Sequence, residues 1–148
     1  ILSLHIKPEC QCPDELAAEK FLDGAKTFCV EAAKRGMEVH LQSHPRKFHN
    51  TPDAMAKFIA DCNCHNLHLA INTGHRTAAT ELAIPNECET VMACAPGSDV
   101  MGNYYDYHLP FRHDPALLAK LKNYRGKLIF DAIYTGWDDI YADLKALN

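Results

Sequence analysis

The sequence carries no surplus of basic charge: 15 Lys and Arg stand against 19 Asp and Glu in 148 residues, a formal charge of −4. A nucleic-acid-binding face normally needs a basic excess, so that footprint is missing. Also missing is any apolar run near the ~18–20 residues that cross a bilayer, which excludes an integral membrane span and leaves cytoplasmic residence as the expectation. There is no low-complexity tract and no linker, and the length suits one domain covering 1–148. The chain opens on Ile1 rather than Met. A processed, trimmed or fragmentary chain is therefore expected, and a removed signal peptide stays open.

What is present is an alternation of strand and helix patterns. Leu2, Leu4 and Ile6 mark a first strand. Leu16, Phe21, Leu22, Ala25, Phe28, Cys29 and Ala32 recur at helical spacing, and Gly36 stands where a helix end wants a left-handed residue. Residues 37–44 alternate, with Val39 and Leu41 on one side and His40, Gln42 and His44 on the other. Thr51-Pro52-Asp53 starts a helix whose stripe is Met55, Phe58, Ile59 and Cys62. A strand follows over 66–72, then a short helix over 76–82 and a fourth strand over 89–95 closed by the turn Pro96-Gly97-Ser98-Asp99. Asp114-Pro115 opens a helix reaching Tyr124, residues 127–133 form a fifth strand, and the last helix, from Trp137, turns Ile140, Leu144 and Leu147 inward.

Strands each followed by a helix imply a parallel sheet, because parallel neighbours need a crossover. The polar faces of two successive strands, with His40, Gln42 and His44 on one and His68 and Asn72 on the other, favour a (β/α) TIM-barrel sheet around a polar interior. Eight units take about 250 residues, so five take roughly 156, and the α/β chain reads as a partial barrel of about five units. Its two edge strands and open interior lead us to expect a homo-oligomer or a missing N-terminal part of the barrel.

Seven cysteines include two close pairs, Cys10 with Cys12 and Cys62 with Cys64, the latter followed by His65. The Cys-x-Cys spacing is not the usual zinc spacing. The first pair follows a strand and the second precedes one, which puts them at opposite sheet ends, roughly 17–20 Å apart. Each pair alone has too few ligands, so reduced thiols without a metal are expected.

Residues 32–44, Asn50-Thr51-Pro52-Asp53 and the run 66–75 ending Asn72-Thr73-Gly74-His75 together resemble the sugar phosphate isomerase/epimerase family. That family belongs to the xylose isomerase-like barrels, and the resemblance maps this chain onto the fourth to eighth strands. It implies a divalent metal (Mn, Mg, Zn or Co) held by Glu, Asp, His and Glu at successive strand ends, with the two Glu residues as acid and base. At those positions stand Gln42, Asn72, the His-free segment Val91-Met92-Ala93-Cys94, and Asp131. An amide cannot act as a base and offers a cation only a neutral oxygen, so the metal site is degenerate, with Asn72 and Asp131 its remaining ligands.

The site expected from the resemblance has Gln42, His75 and Asp131 as catalytic groups and His44 and Asn72 binding substrate. His108 and Arg112 come from an aromatic loop over 102–113, either a cap on a sugar site with Arg112 holding a phosphate, or ordinary packing. His40, His44, His68 and His75 could form an imidazole cluster that holds zinc or works as acid–base pairs without metal. Histidines as deep in their strands as His40 and His68 are more often hydrogen-bonded core residues. Two functions follow: a sugar or sugar phosphate isomerase or epimerase working by proton transfer, or a non-catalytic sugar-binding or assembly protein of the same fold. DNA repair of the endonuclease IV type would need a basic groove and a trinuclear zinc site, and neither is seen.

Overall fold

The computed structural model describes residues 14–42, 52–75, 84, 88–97 and 107–148. The first expected strand, Cys10 and Cys12, His44, the helix expected over 76–82 and the first part of the aromatic loop lie outside the described residues. The described residues fall into two compact units, divided between Ala70 and Ile71.

The first unit contains helix α1 (Asp14–Ala33), strand β1 (Val39–Gln42), helix α2 (Pro52–Cys62) and most of strand β2 (Leu67–Asn72). Ala25, Cys29 and Ala32 are the buried positions of α1, one helical face at spacings of four and three. They are small, which lets another helix approach closely. Met55, Phe58 and Cys62 are the buried stripe of α2, as the spacing predicts, and Phe58 stacks on Phe21 with ring centroids 5.1 Å apart. Gly36 has φ +65°, and the Met37 amide donates back to the Ala32 carbonyl, so the expected left-handed helix end is present.

β1 and β2 pair in parallel, Val39 opposite Leu67 and Gln42 opposite Ala70. The histidines of this pair are built into it. His40 is 1% exposed with its ring 5.2 Å from that of His68, and His68 Nε2 meets Glu38 Oε2 at 2.5 Å. His40 is thus a buried residue of the pair, and His68 is a partly exposed one held by Glu38.

The second unit begins with the last two residues of β2 and continues through a 3₁₀ turn (Thr73–His75), β3 (Thr90–Ala93), β4 (Ala95–Gly97) and β5 (Tyr107–Leu109). A second 3₁₀ turn (Phe111–His113), α3 (Pro115–Leu121), β6 (Lys127–Phe130) and α4 (Trp137–Leu147) complete it. β3 and β6 pair in parallel, Thr90 opposite Lys127 and Ala93 opposite Phe130. Asp114 caps α3, its carboxylate accepting from the Leu117 amide at 3.0 Å ahead of Pro115. Phe111, Leu117 and Leu121 are buried beneath it.

Two expectations fail here. Pro96-Gly97 is not a turn: Ala95–Gly97 is a short strand antiparallel to Tyr107–Leu109, with Pro96 opposite His108. Proline is tolerated there because a two-stranded ribbon leaves amides that need no ladder partner. Leu144 is not inward: it is 43% exposed, and Asp143 is fully buried instead. The carboxylate accepts from the Phe111 and Arg112 amides at 3.2 Å each, from Arg112 Nη1 at 3.0 Å and from the Tyr134 hydroxyl at 2.7 Å. Four donors converging on one carboxylate fix the rotation of α4, and the apolar pattern does not. Trp137, Tyr141 and Leu144 are left as an exposed stripe.

Candidate functional site

Parallel strands deliver their last residues to one end, and in the second unit that end gathers Asn72, Cys94, His108 and Asp131. Asn72 closes β2. Cys94 follows β3 directly, held by the Thr73 hydroxyl, which accepts from the Cys94 amide at 2.9 Å and donates to its carbonyl at 2.7 Å. Asp131 follows β6, and its amide continues the parallel ladder to the Ala93 carbonyl at 3.2 Å. His108 is carried in by β5. The Ile133 amide donates to the His108 carbonyl at 2.9 Å, which pins the ribbon beside the segment after β6.

The polar contacts are continuous. Asn72 Nδ2 donates to Asp131 Oδ2 at 2.7 Å, while Asn72 Oδ1 accepts from the Gly74 amide at 3.0 Å and from the Cys94 thiol at 3.3 Å. Both ends of the amide are thus engaged. His108 Nδ1 lies 3.0 Å from the Asp131 carbonyl and 3.2 Å from Asp131 Oδ2. His75 sits with its ring 5.0 Å from that of His108. Asp131 Oδ1 carries no hydrogen bond among the described residues, and the side chain is 31% exposed. Gly74 has a steric reason: a Cβ there would come 2.5 Å from Cys94 Sγ and 2.9 Å from the His108 ring.

The electrostatics follow from this packing. The Asp131 hydrogen bond, then the Cys94 thiol, push His108 up from 6.5 to about 10 against the opposing effect of burial. Burial pulls Asp131 upward, but His108, Asn72 and His75 outweigh it and hold the carboxyl below its ordinary 3.8. At neutral pH the pair is imidazolium and carboxylate. His108, raised in the folded state, contributes stability in full below pH 6.5 and loses it as pH rises through about 10. Asp131, depressed, contributes above 3.8 and loses that as pH falls through its lowered value. The expected result is a stability plateau between about pH 3.8 and 6.5, then a steady fall from pH 6.5 that ends near pH 10 and that His108→Gln abolishes, read by denaturant unfolding at stepped pH.

Of the residues expected from the sequence, Asn72, His75, His108 and Asp131 come together. Gln42 ends β1 in the first unit, 4% exposed. Arg112 is engaged elsewhere: its guanidinium bonds Asp143, the Asp139 carbonyl and the Asp139 carboxylate, tying the second 3₁₀ turn to α4. Cys94 is not among the residues expected from the sequence, although it stands at the strand end where the resemblance implies His; a thiol does not fit that imidazole pattern.

A hard divalent cation favours several anionic oxygens, and here Asp131 supplies the one carboxylate among the described residues of the cluster. The site does not fit magnesium or manganese. Cys94 Sγ, a His108 nitrogen and an Asp131 oxygen do lie within 4.8 Å of one another, a donor set that suits zinc.

No family model matches the sequence, and no curated protein does either. Solved structures match by fold. The 3-keto-D-glucoside 4-epimerase of E. coli, in its apo form, superposes with TM-score 0.63 at 18% identity, over 99% of this chain and 58% of that one. A xylose isomerase-like TIM barrel protein from Mycobacterium smegmatis in complex with magnesium gives TM-score 0.61 at 14% identity, over 93% of this chain and 52% of that one. The chain therefore spans somewhat more than half the length of each structure it matches. Its α/β architecture is that of part of a xylose isomerase-like TIM barrel.

Proposed function

We propose that the protein acts on a sugar or sugar phosphate as an isomerase or epimerase, by proton transfer next to a carbonyl, with Asp131 as the base. The observation that carries this is a carboxylate kept ionised by His108 and Asn72 while its Oδ1 carries no hydrogen bond among the described residues, beside His75. Asp131 Oδ1 takes the proton from the carbon adjacent to the carbonyl. The electron pair moves onto the carbonyl oxygen, where His75 donates a hydrogen bond. Return of the proton to the former carbonyl carbon gives the isomer, as the hydroxyl proton of the first carbon passes by way of His75 to the enolate oxygen and leaves the new carbonyl behind. Protonation of the first carbon on its other face by water, with Asp131 giving up its proton to solvent, gives the epimer. His108 and Asn72 are positioning residues. His108 Nε2 is buried with no hydrogen-bond partner among the described residues, so the imidazolium works on Asp131 through Nδ1 and not on the sugar.

A second reading rests on the Cys94, His108 and Asp131 donor set, which would hold zinc; bound there, the ion would polarise a sugar oxygen. Metal content of the Cys94→Ser protein against the unmodified chain separates the two readings. Binding and loss of carbon-bound hydrogen in heavy water, run over a panel of ketoses, aldoses and their phosphates, test the function itself. Solvent deuterium entering one sugar, reduced by His75→Ala, supports proton transfer. Sugar binding with no exchange supports a non-catalytic sugar-binding protein of the same fold.

A further inference from the structure

The Cys62 and Cys64 pair, which lacked ligands when read along the sequence, acquires a third thiol in three dimensions. Cys29 of α1 is fully buried against the end of α2, and its Sγ lies with those of Cys62 and Cys64 in a group whose members are all within 4.8 Å of one another. Cys62 Sγ and Cys64 Sγ are 3.6 Å apart. Zinc–sulfur bonds of about 2.3 Å in tetrahedral geometry place neighbouring sulfurs about 3.8 Å apart, so side-chain adjustments of an ångström or less suffice.

The backbone around the cluster is shaped to make it. Asn63 has φ +52°, the left-handed region that asparagine tolerates better than most residues. It ends α2 and bends the chain back, so that Cys64 returns to the last helical turn instead of departing with the strand. Asn66, 3% exposed, donates through Nδ2 to the Cys29 carbonyl at 3.0 Å and to the Met37 carbonyl at 3.1 Å. The helix that brings Cys29 and the loop that brings Cys64 are thereby tied at one residue, as an outer-shell partner ties the ligands of a metal site. Cys29 and Cys62 are buried while Cys64 is half-buried, which gives an ion one side of entry and a fourth coordination position toward solvent.

We propose that Cys29, Cys62 and Cys64 bind one zinc ion, joining α1 to α2 in the first unit. The donor set is sulfur alone, which discriminates against magnesium, calcium and manganese. His65 follows Cys64 but is outside the cluster, so water or an exogenous thiolate completes the coordination.

The test uses the full chain, stripped with chelator under reducing conditions, loaded with zinc chloride, desalted and assayed for metal. One zinc per chain is expected beyond what Cys64→Ser retains, with Cys94→Ser keeping that zinc because its sulfur belongs to the other cluster. Cys64 is half-buried and past the helix end, so its serine variant keeps the fold, which circular dichroism checks; Cys62→Ser is the second variant. Loss of one sulfur ligand should weaken zinc binding by at least the ten- to hundredfold that outer-shell changes alone cause. Cobalt in place of zinc should show thiolate charge-transfer absorption that falls in Cys64→Ser. A folded unmodified chain that holds no more zinc than Cys64→Ser, with no thiolate band on cobalt, overturns the proposal. That result would leave the Asp131 chemistry untouched.

Discussion

Asp131→Asn is expected to reduce solvent-exchange of the substrate's carbon-bound hydrogen by about 10²–10⁴-fold, the usual contribution of a positioned acid–base group. The substitution is nearly isosteric, and Asn can still accept from Asn72 and His108 through its carbonyl oxygen. The fold and sugar binding should therefore change little, so the loss falls on kcat more than on KM. Asn72→Ala gives a smaller loss of a different kind. It removes the hydrogen bond to Asp131 Oδ2 at 2.7 Å and frees the Cys94 thiol and the Gly74 amide, so both the aim and the acidity of the carboxyl change. The activity–pH profile should shift in Asn72→Ala and vanish in Asp131→Asn. Equal exchange by Asp131→Asn and the unmodified chain would remove Asp131 from the reaction.

The largest stability effect is expected at Asp143. Its carboxylate is fully buried and receives four donors from Phe111, Arg112 and Tyr134. Asp143→Ala leaves the Phe111 and Arg112 amides and the Tyr134 hydroxyl without their acceptor, while the Arg112 guanidinium keeps Asp139. Orphaning a buried donor costs about 1–3 kcal/mol each, and in a domain of this size the three together lower Tm by on the order of 10 °C. Replacing a buried ion pair by apolar residues is often neutral, but here Arg112→Met with Asp143→Leu should stay well below the unmodified protein. The backbone amides of Phe111 and Arg112 and the Tyr134 hydroxyl would still be orphaned. A double variant as stable as the parent in urea unfolding would show that the arginine pair, and not the backbone donors, sets the cost.

Much of the fold was legible because its signals are local. Gly36 after a helical stripe, Asp114-Pro115 before one, and the Met55, Phe58, Cys62 spacing each specify one conformation without help from distant residues. The β4–β5 ribbon was not legible: Pro96-Gly97 has the composition of a turn, and its pairing to Tyr107–Leu109 is decided ten residues away. Asp143 hides in the same manner. A carboxylate on an amphipathic helix reads as solvent-facing until the donors from Phe111, Arg112 and Tyr134 are in place.

The site divides along the same line. Asn72, His75 and Asp131 stood at strand ends and were found by position, and His108 was found as an aromatic-loop residue whose partner was unknown. Cys94 escaped because one thiol after a strand has no pattern of its own; its meaning comes from Asn72 and Gly74 packed against it. Arg112 shows the opposite error, a residue type suited to phosphate that the tertiary structure commits to Asp139 and Asp143. The three-thiol group needed Cys29, thirty-three residues before Cys62 in the chain, and only helix packing supplies it.

Proton NMR of the His108 ring across pH, in the unmodified protein and in Asp131→Asn, tests most directly whether a histidine cation and a carboxylate share this strand end. The imidazole should remain cationic through pH 8 and release its proton near 10, with the transition moving down toward the ordinary histidine range in Asp131→Asn. A ring that titrates near 6.5 in both proteins would mean that the two side chains do not form this pair, and the base assigned to the reaction would lose the interaction that keeps it ionised and aimed.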